Sequence, residues 1–158
     1  MARSFQYASI VDRAIAAIVD GVIIGFAVGI IVFIVSFAVG LGAAFIGGRM
    51  GSMIATPIML IAYGIAFLLS LGYYIYFEGT SGQTIGKKLL NIRVVKEDGS
   101  PCDFNAALMR NILRIVDALP TLYILGIILM ATSPTVQRLG DRVAHTVVIK
   151  EGAPTALP

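Results

Sequence analysis

The chain has 158 residues, 58% of them apolar and 13% charged, with a mean hydropathy of +0.90. A soluble domain averages about 25% charged residues, so this composition excludes an ordinary water-soluble globule and leaves one lipid-embedded domain. The net charge of +3 gives no sign of nucleic-acid binding, and one cysteine with one histidine excludes a disulfide framework and a Cys/His metal cluster.

The first eight residues resemble a short polar leader. The apolar run that follows, Ala14 to Ile46, is longer than the hydrophobic region of a signal peptide and contains Asp20, which predicts an anchor that is retained. An ionised group at membrane depth costs several kcal/mol and normally faces protein or water, so Asp20 is a candidate functional residue. Arg13 stands seven positions earlier, nearly two helical turns, which projects both side chains from one face and predicts a pair. Ala17, Gly21, Gly25 and Gly29 recur every fourth residue, a small-residue stripe suited to packing against the second helix or a second copy of the chain.

Residues Gly21 to Gly48 and Met50 to Phe77 contain no charge, and each stretch exceeds the roughly 20 residues needed to cross a bilayer core. Two spanning helices are predicted, at about 14–40 and 52–77, joined by a glycine-rich turn around Arg49. Tyr73, Tyr74, Tyr76 and Phe77 form an aromatic belt that places Glu78 just outside the membrane. A loop is predicted over 78–104, an amphipathic helix over 105–119, a third apolar segment over 118–136 and a flexible tail over 151–158. The third segment contains Pro120 and Pro134, and either crosses or dips in and returns. A re-entrant segment keeps every basic residue except Arg49 on the cytoplasmic side, whereas a full crossing moves Arg138, Arg142 and Lys150 across. Two β-rich runs, Ile92–Val95 and Thr146–Ile149, flank this region; isolated short strands need a partner, and pairing requires both on one side. Cytoplasmic N- and C-termini follow. The fold expected is an all-α integral membrane protein, with two long transmembrane helices, a third short, re-entrant or spanning one, and a small two-stranded β element.

Two further groups have chemistry to offer. Helix 105–119 aligns Arg110, Arg114 and Asp117 on one face, which suits either a helix lying at the headgroup layer or ion pairs with Asp20 or Asp141. The run Gln137-Arg-Leu-Gly-Asp-Arg-Val-Ala-His-Thr reads either as a solvated turn or as the source of a second buried carboxylate, Asp141. Gly82-Gln-Thr-Ile-Gly-Lys-Lys is not a phosphate loop, since that motif needs glycine at Ser81 and a hydroxyl at Lys88.

Taken in order, Arg13, Asp20, Gly82-Gln-Thr-Ile-Gly-Lys-Lys-Leu-Leu-Asn-Ile-Arg-Val-Val, Asp98-Gly99, Arg110-Asn-Ile-Leu-Arg, Gln137-Arg-Leu-Gly-Asp-Arg and Thr146-Val-Val resemble the RDD family over about residues 6–150. The resemblance implies that the arginine and two aspartates for which the family is named are Arg13, Asp20 and Asp141, with Asp117 the alternative to the last. His145 departs from the small residue usual before that threonine. The family is mostly bacterial, is built on a small helical membrane domain, and largely lacks an assigned activity; ion transport has been proposed within it.

Two functions compete. The first is exchange of protons for monovalent cations in the inner membrane, with Asp20 as the exchanging group and a homo-oligomer completing the pathway. The second is an accessory module whose Arg/Asp cluster locks the fold while its basic surface binds lipid or a partner membrane protein. An enzyme is not expected, because no Ser/His, Cys/His or metal-binding set is present, and no cofactor is implied.

Overall fold

A computed structural model describes residues 5–118 and 124–152. Two long helices dominate, α1 (Ile10–Ile46) and α2 (Gly48–Ser81). They are followed by α3 (Ile85–Leu89), β1 (Ile92–Lys96), α4 (Phe104–Ala118), α5 (Ile124–Thr132), α6 (Leu139–Val143) and β2 (Thr146–Lys150). At 37 and 34 residues, α1 and α2 are long and apolar enough to cross a membrane. The chain divides into two compact units, one of Met1–Asp20 with Tyr73–Pro158 and one of Gly21–Gly72.

In the Gly21–Gly72 unit the helices run further than the glycine-rich stretch predicts: α1 continues to Ile46 and α2 resumes at Gly48. Ala, Phe, Ile and Met hold the helix there, and only Gly47 and Gly48, at φ +74° and +54°, take the left-handed conformation that reverses the chain. Gly51 allows that reversal, since a Cβ on it would lie 3.1 Å from the Ala43 carbonyl carbon. Of the two partners expected for the small-residue stripe, the second helix is not packed against Gly25 or Gly29, where a Cβ would meet nothing within 4 Å among the described residues; the second copy of the chain stays as the alternative.

The other unit contains the strands. β1 and β2 pair antiparallel, with Ile92 opposite Lys150, Val94 opposite Val148 and Lys96 opposite Thr146. The chain before α1 adds to the β2 edge, where the Ala8 amide donates to the Val148 carbonyl at 2.9 Å and the Lys150 amide to the Gln6 carbonyl at 2.9 Å. The apolar core is small: Ala8, Ala16, Ile92, Val94, Cys102, Ala106, Ala107 and Val148.

Helix α4 takes up the ion-pairing alternative, with Arg110 turned toward Asp141. Arg110 and Asn111 face inward at 1% and 2% exposure, while Leu108, Met109, Ile112 and Ile115 stand outward at 40–44%. The helix is amphipathic as predicted, but its apolar face is the outer one. Among the described residues the third apolar segment contributes α5, whose nine residues span about 13 Å of a core about 30 Å thick; residues 119–123 of the segment lie outside the described residues.

Candidate functional site

Within the strand-containing unit, the first turns of α1 and the last turns of α2 meet loops from the rest of the unit. Asp20, 1% exposed, accepts from the Tyr73 hydroxyl at 2.9 Å, the Thr84 hydroxyl at 2.6 Å and the Gly86 amide at 2.8 Å. Its partners are neutral donors, and the expected pairing with Arg13 does not form. Seven residues of helix separate the two by about 10 Å along the axis, and the loop Gly82–Gly86 fills the space around the carboxylate.

The loop sequence explains that fit. Thr84 caps α3 and accepts from the Lys87 amide while its hydroxyl donates to Asp20. Gly86 must be glycine because a Cβ there would sit 3.0 Å from the Asp20 carboxyl carbon and closer still to the Ala16 carbonyl oxygen. Gly82, at φ +70°, brings its backbone against β1, where a Cβ would lie 2.6 Å from the Val94 oxygen. The glycines of this motif therefore serve close packing.

Asp141 is the second buried carboxylate, at 0% exposure. The run around it is not the solvated turn that its polarity suggests: Leu139–Val143 forms α6, with Asp141 in its first turn accepting from the Arg138 amide at 3.1 Å. Arg13 pairs with its Oδ2 and also donates to the Val136 carbonyl at 2.5 Å. Val136 is held at φ +52°, a strained conformation for a β-branched residue. The Arg110 Nη2 lies 3.0 Å from Oδ1, and the Arg138 Nε 3.7 Å from Oδ2. Neither the Arg110 Nη2 nor the Asp141 Oδ1 has a well-aligned hydrogen bond among the described residues, so charge holds that contact more than geometry. Burial disfavours the Asp141 anion, but Arg13, Arg110 and Arg138 hold its carboxyl far below the ordinary range.

Glu78, predicted just outside the membrane, forms a third centre and is buried inside the protein. It pairs with Lys87, accepts from the Asn111 amide at 3.1 Å, and lies 3.4 Å from the Arg110 Nε. Arg110 thus bridges Glu78 and Asp141 and also donates to the Thr146 hydroxyl at 3.2 Å. Burial pushes the Lys87 ammonium down to about 8 against the pull of Glu78, and pushes Arg138 down to about 10 against the pull of Asp141.

Of the residues singled out in the sequence, Arg13, Arg110 and Asp141 come together, Asp20 stands with other partners, and Arg114 lies over the Tyr74 ring at 4.2 Å from its centroid. The side chain of Asp117 lies outside the described residues. Glu78, Lys87, Thr84, Tyr73, Asn111 and Arg138 are additions from the structure. The signal for Glu78 and Lys87 is present in the sequence as opposite charges on either side of a turn-forming Gly82. His145 sits at φ +49° with its side chain 81% exposed, beside Glu97. Among the described residues no cluster of three or more His, Cys, Asp and Glu is placed to hold a metal.

A family profile described as the RDD family matches residues 7–145. The Proline-rich antigen of Mycobacterium leprae (strain TN) is 28% identical over 99 residues, covering 60% of this chain and 39% of the relative. The chain therefore spans about two fifths of the length of that curated relative. No solved structure matches.

Proposed function

The chain belongs to the RDD family, and we propose that this membrane protein is an accessory module without catalysis or transport. Its buried ion network fastens the strand-containing unit around the ends of α1 and α2, and its basic surface binds lipid or a partner membrane protein. The observation that carries this reading is the environment of Asp20. A carboxylate bound to a cation must direct lone pairs at it, whereas three of the roughly four lone-pair positions of Asp20 already receive an amide and two hydroxyl hydrogens. Asp141 and Glu78 are likewise matched by Arg13, Arg110 and Lys87.

Exchange of protons for monovalent cations is the second reading. Its support is that Asp20 borders a cleft of about 30 Å³, room for about one water-sized species. The other walls are Arg13, Lys87, Arg114 and Arg138, whose charges repel a cation. We place the protein in the bacterial inner membrane with both termini cytoplasmic, in keeping with the distribution of Lys and Arg. Homo-oligomers or a partner membrane protein fit the outward small-residue stripe.

Proteoliposomes test the reading. Under sodium, potassium and lithium gradients the wild-type chain is expected to move no protons, and Asp20→Asn is expected to lower the melting midpoint. Cation-driven proton movement that disappears in a folded Asp20→Asn protein would establish exchange instead.

A further inference from the structure

The ion network fixes one face of α4 and leaves the opposite face without a role. From Leu108 to Ile115 every exposed side chain is apolar: Leu108, Met109, Ile112 and Ile115, a single helical stripe. The inward face holds this stripe in place, since Arg110 lies beside Glu78 and Asp141 and Asn111 donates to Glu78 at 3.1 Å. Turning α4 to hide the stripe would withdraw a cation from two buried carboxylates, so the stripe stays outward.

Contacts with α2 give α4 a direction. At its start the Phe104 ring lies so near Gly79 that a Cβ there would approach it to 2.7 Å. Further along Asn111 meets Glu78, and beyond that Arg114 lies over the Tyr74 ring at 4.2 Å from its centroid. The partners step back along α2 from Gly79 to Tyr74, about 7.5 Å of its axis, over about 15 Å of α4. The uncharged run of α2, Met50 to Phe77, lies on that same side, so the later turns of α4 are the deeper ones. Polar groups agree with this order. Asp103 and Asn105 are exposed at the start of the helix, where Asp103 pairs with Lys96 at 2.6 Å.

We propose that α4 descends obliquely into the acyl layer of the bilayer, with Met109, Ile112 and Ile115 against lipid chains and Asp103 and Asn105 at the headgroups. The occupant of the stripe is lipid because α4 lies against the last turns of α2, a helix long and apolar enough to cross the bilayer, and the two share one medium. An interfacial helix of the usual kind sets its cations toward anionic headgroups. Here Arg110 is turned inward to carboxylates, so apolar burial drives the contact and headgroup charge does not select it. The immersion goes beyond the accessory-module reading and does not rest on it, since a transporter could carry the same helix.

The chain has no tryptophan, so single tryptophans introduced by substitution report depth. Met109→Trp, Ile112→Trp and Ile115→Trp place one on the stripe, and Asp98→Trp places one in the exposed turn after β1. Each full-length variant that keeps the helical circular dichroism of the wild type is reconstituted in phosphatidylcholine vesicles brominated at a shallow or a deep acyl position, where bromine quenches indole emission on contact. The stripe variants are expected to lose emission, with the deep bromines gaining on the shallow ones from Met109→Trp through Ile112→Trp to Ile115→Trp. Asp98→Trp is expected to keep its emission, and replacing part of the phosphatidylcholine with phosphatidylglycerol is expected to leave the pattern unchanged. Stripe tryptophans that brominated lipid leaves bright, a depth order that is flat or reversed, or quenching that requires phosphatidylglycerol would overturn the proposal. Quenching that appears only when the protein is diluted in lipid would overturn it too, because a second copy would then be the partner that covers the stripe.

Discussion

Asp141→Asn is the sharpest perturbation available, because it preserves shape while removing a negative charge that faces Arg13, Arg110 and Arg138 together. Asp141 is fully buried, and the Arg13 and Arg110 side chains are 8% and 1% exposed, so water cannot replace the lost partner. Removing one member of a buried ion pair typically costs about 3–5 kcal/mol, since the remaining charge stays desolvated. For a domain near this size each kcal/mol moves the melting midpoint about 2–4 °C, which gives a fall of about 6–20 °C. The chain has no tryptophan, so helical circular dichroism in mild detergent is the suitable probe. Arg13→Gln alone is also destabilising, but the double variant Arg13→Gln/Asp141→Asn should lose less than the sum, with a coupling of about 1–3 kcal/mol. Arg110 limits the recovery, because it faces Asp141 as well. An unchanged midpoint for Asp141→Asn, or strictly additive losses, would refute the account of a buried ion-paired centre.

The acid limb of stability follows from the same residue. Arg13, Arg110 and Arg138 hold the Asp141 carboxyl far below the ordinary aspartate value of about 4, so its contribution is complete above about pH 4 and is lost as pH falls beneath it. The wild-type melting midpoint should therefore drop below about pH 4 more steeply than that of Asp141→Asn, and parallel profiles would contradict this. Gly86→Ala drives a methyl group against the Ala16 carbonyl and Asp20 and should cost about 1–3 kcal/mol. Gly25→Ala, with open space beside it, should be neutral or stabilising by up to about 1 kcal/mol through helix propensity; comparable melting midpoints for the two would undermine the close-packing explanation of the loop. Thr84→Val removes a buried donor to Asp20 and should lower stability by about 1–3 kcal/mol, while Thr84→Ser retains it. Equal thermal stability of the valine and serine variants would show that this hydrogen bond contributes nothing.

The long helices and the strand pair are legible in the sequence because their signals are local. Uncharged runs specify α1 and α2, and the two Val-rich segments specify β1 and β2. The pairing of charges is not legible in this way. Arg13 and Asp20 share a helix face, yet Asp141, 128 positions along from Arg13, is what Arg13 meets. Sequence spacing gives the direction of a side chain on its own helix, but it says nothing of which loop arrives in front of it. Glu78 illustrates the same limit: its position after the aromatic belt gives its place along α2, but not that the α4 cation Arg110 and the loop cation Lys87 enclose it. Asp141 is hidden for a different reason, since five residues of helix are too few to produce an apolar period.

Helix α4 ties the ion network to the membrane by an argument independent of hydropathy along α1 and α2. Its alternation of apolar and polar residues identifies an amphipathic helix but leaves open which face points inward, because the answer depends on the surrounding solvent. In water the favoured arrangement would bury Leu108, Met109, Ile112 and Ile115 and leave Arg110 solvated. The observed arrangement is the reverse: these four side chains point out, and Arg110 is enclosed with Glu78 and Asp141. In lipid, outward apolar side chains carry no penalty, and an arginine gains by turning inward to carboxylates. The buried network and the outward apolar face are therefore two consequences of one surrounding medium. The same inversion leaves Arg114 at the cleft, on a helix that combines an outward apolar face with Arg110 turned toward the paired carboxylates.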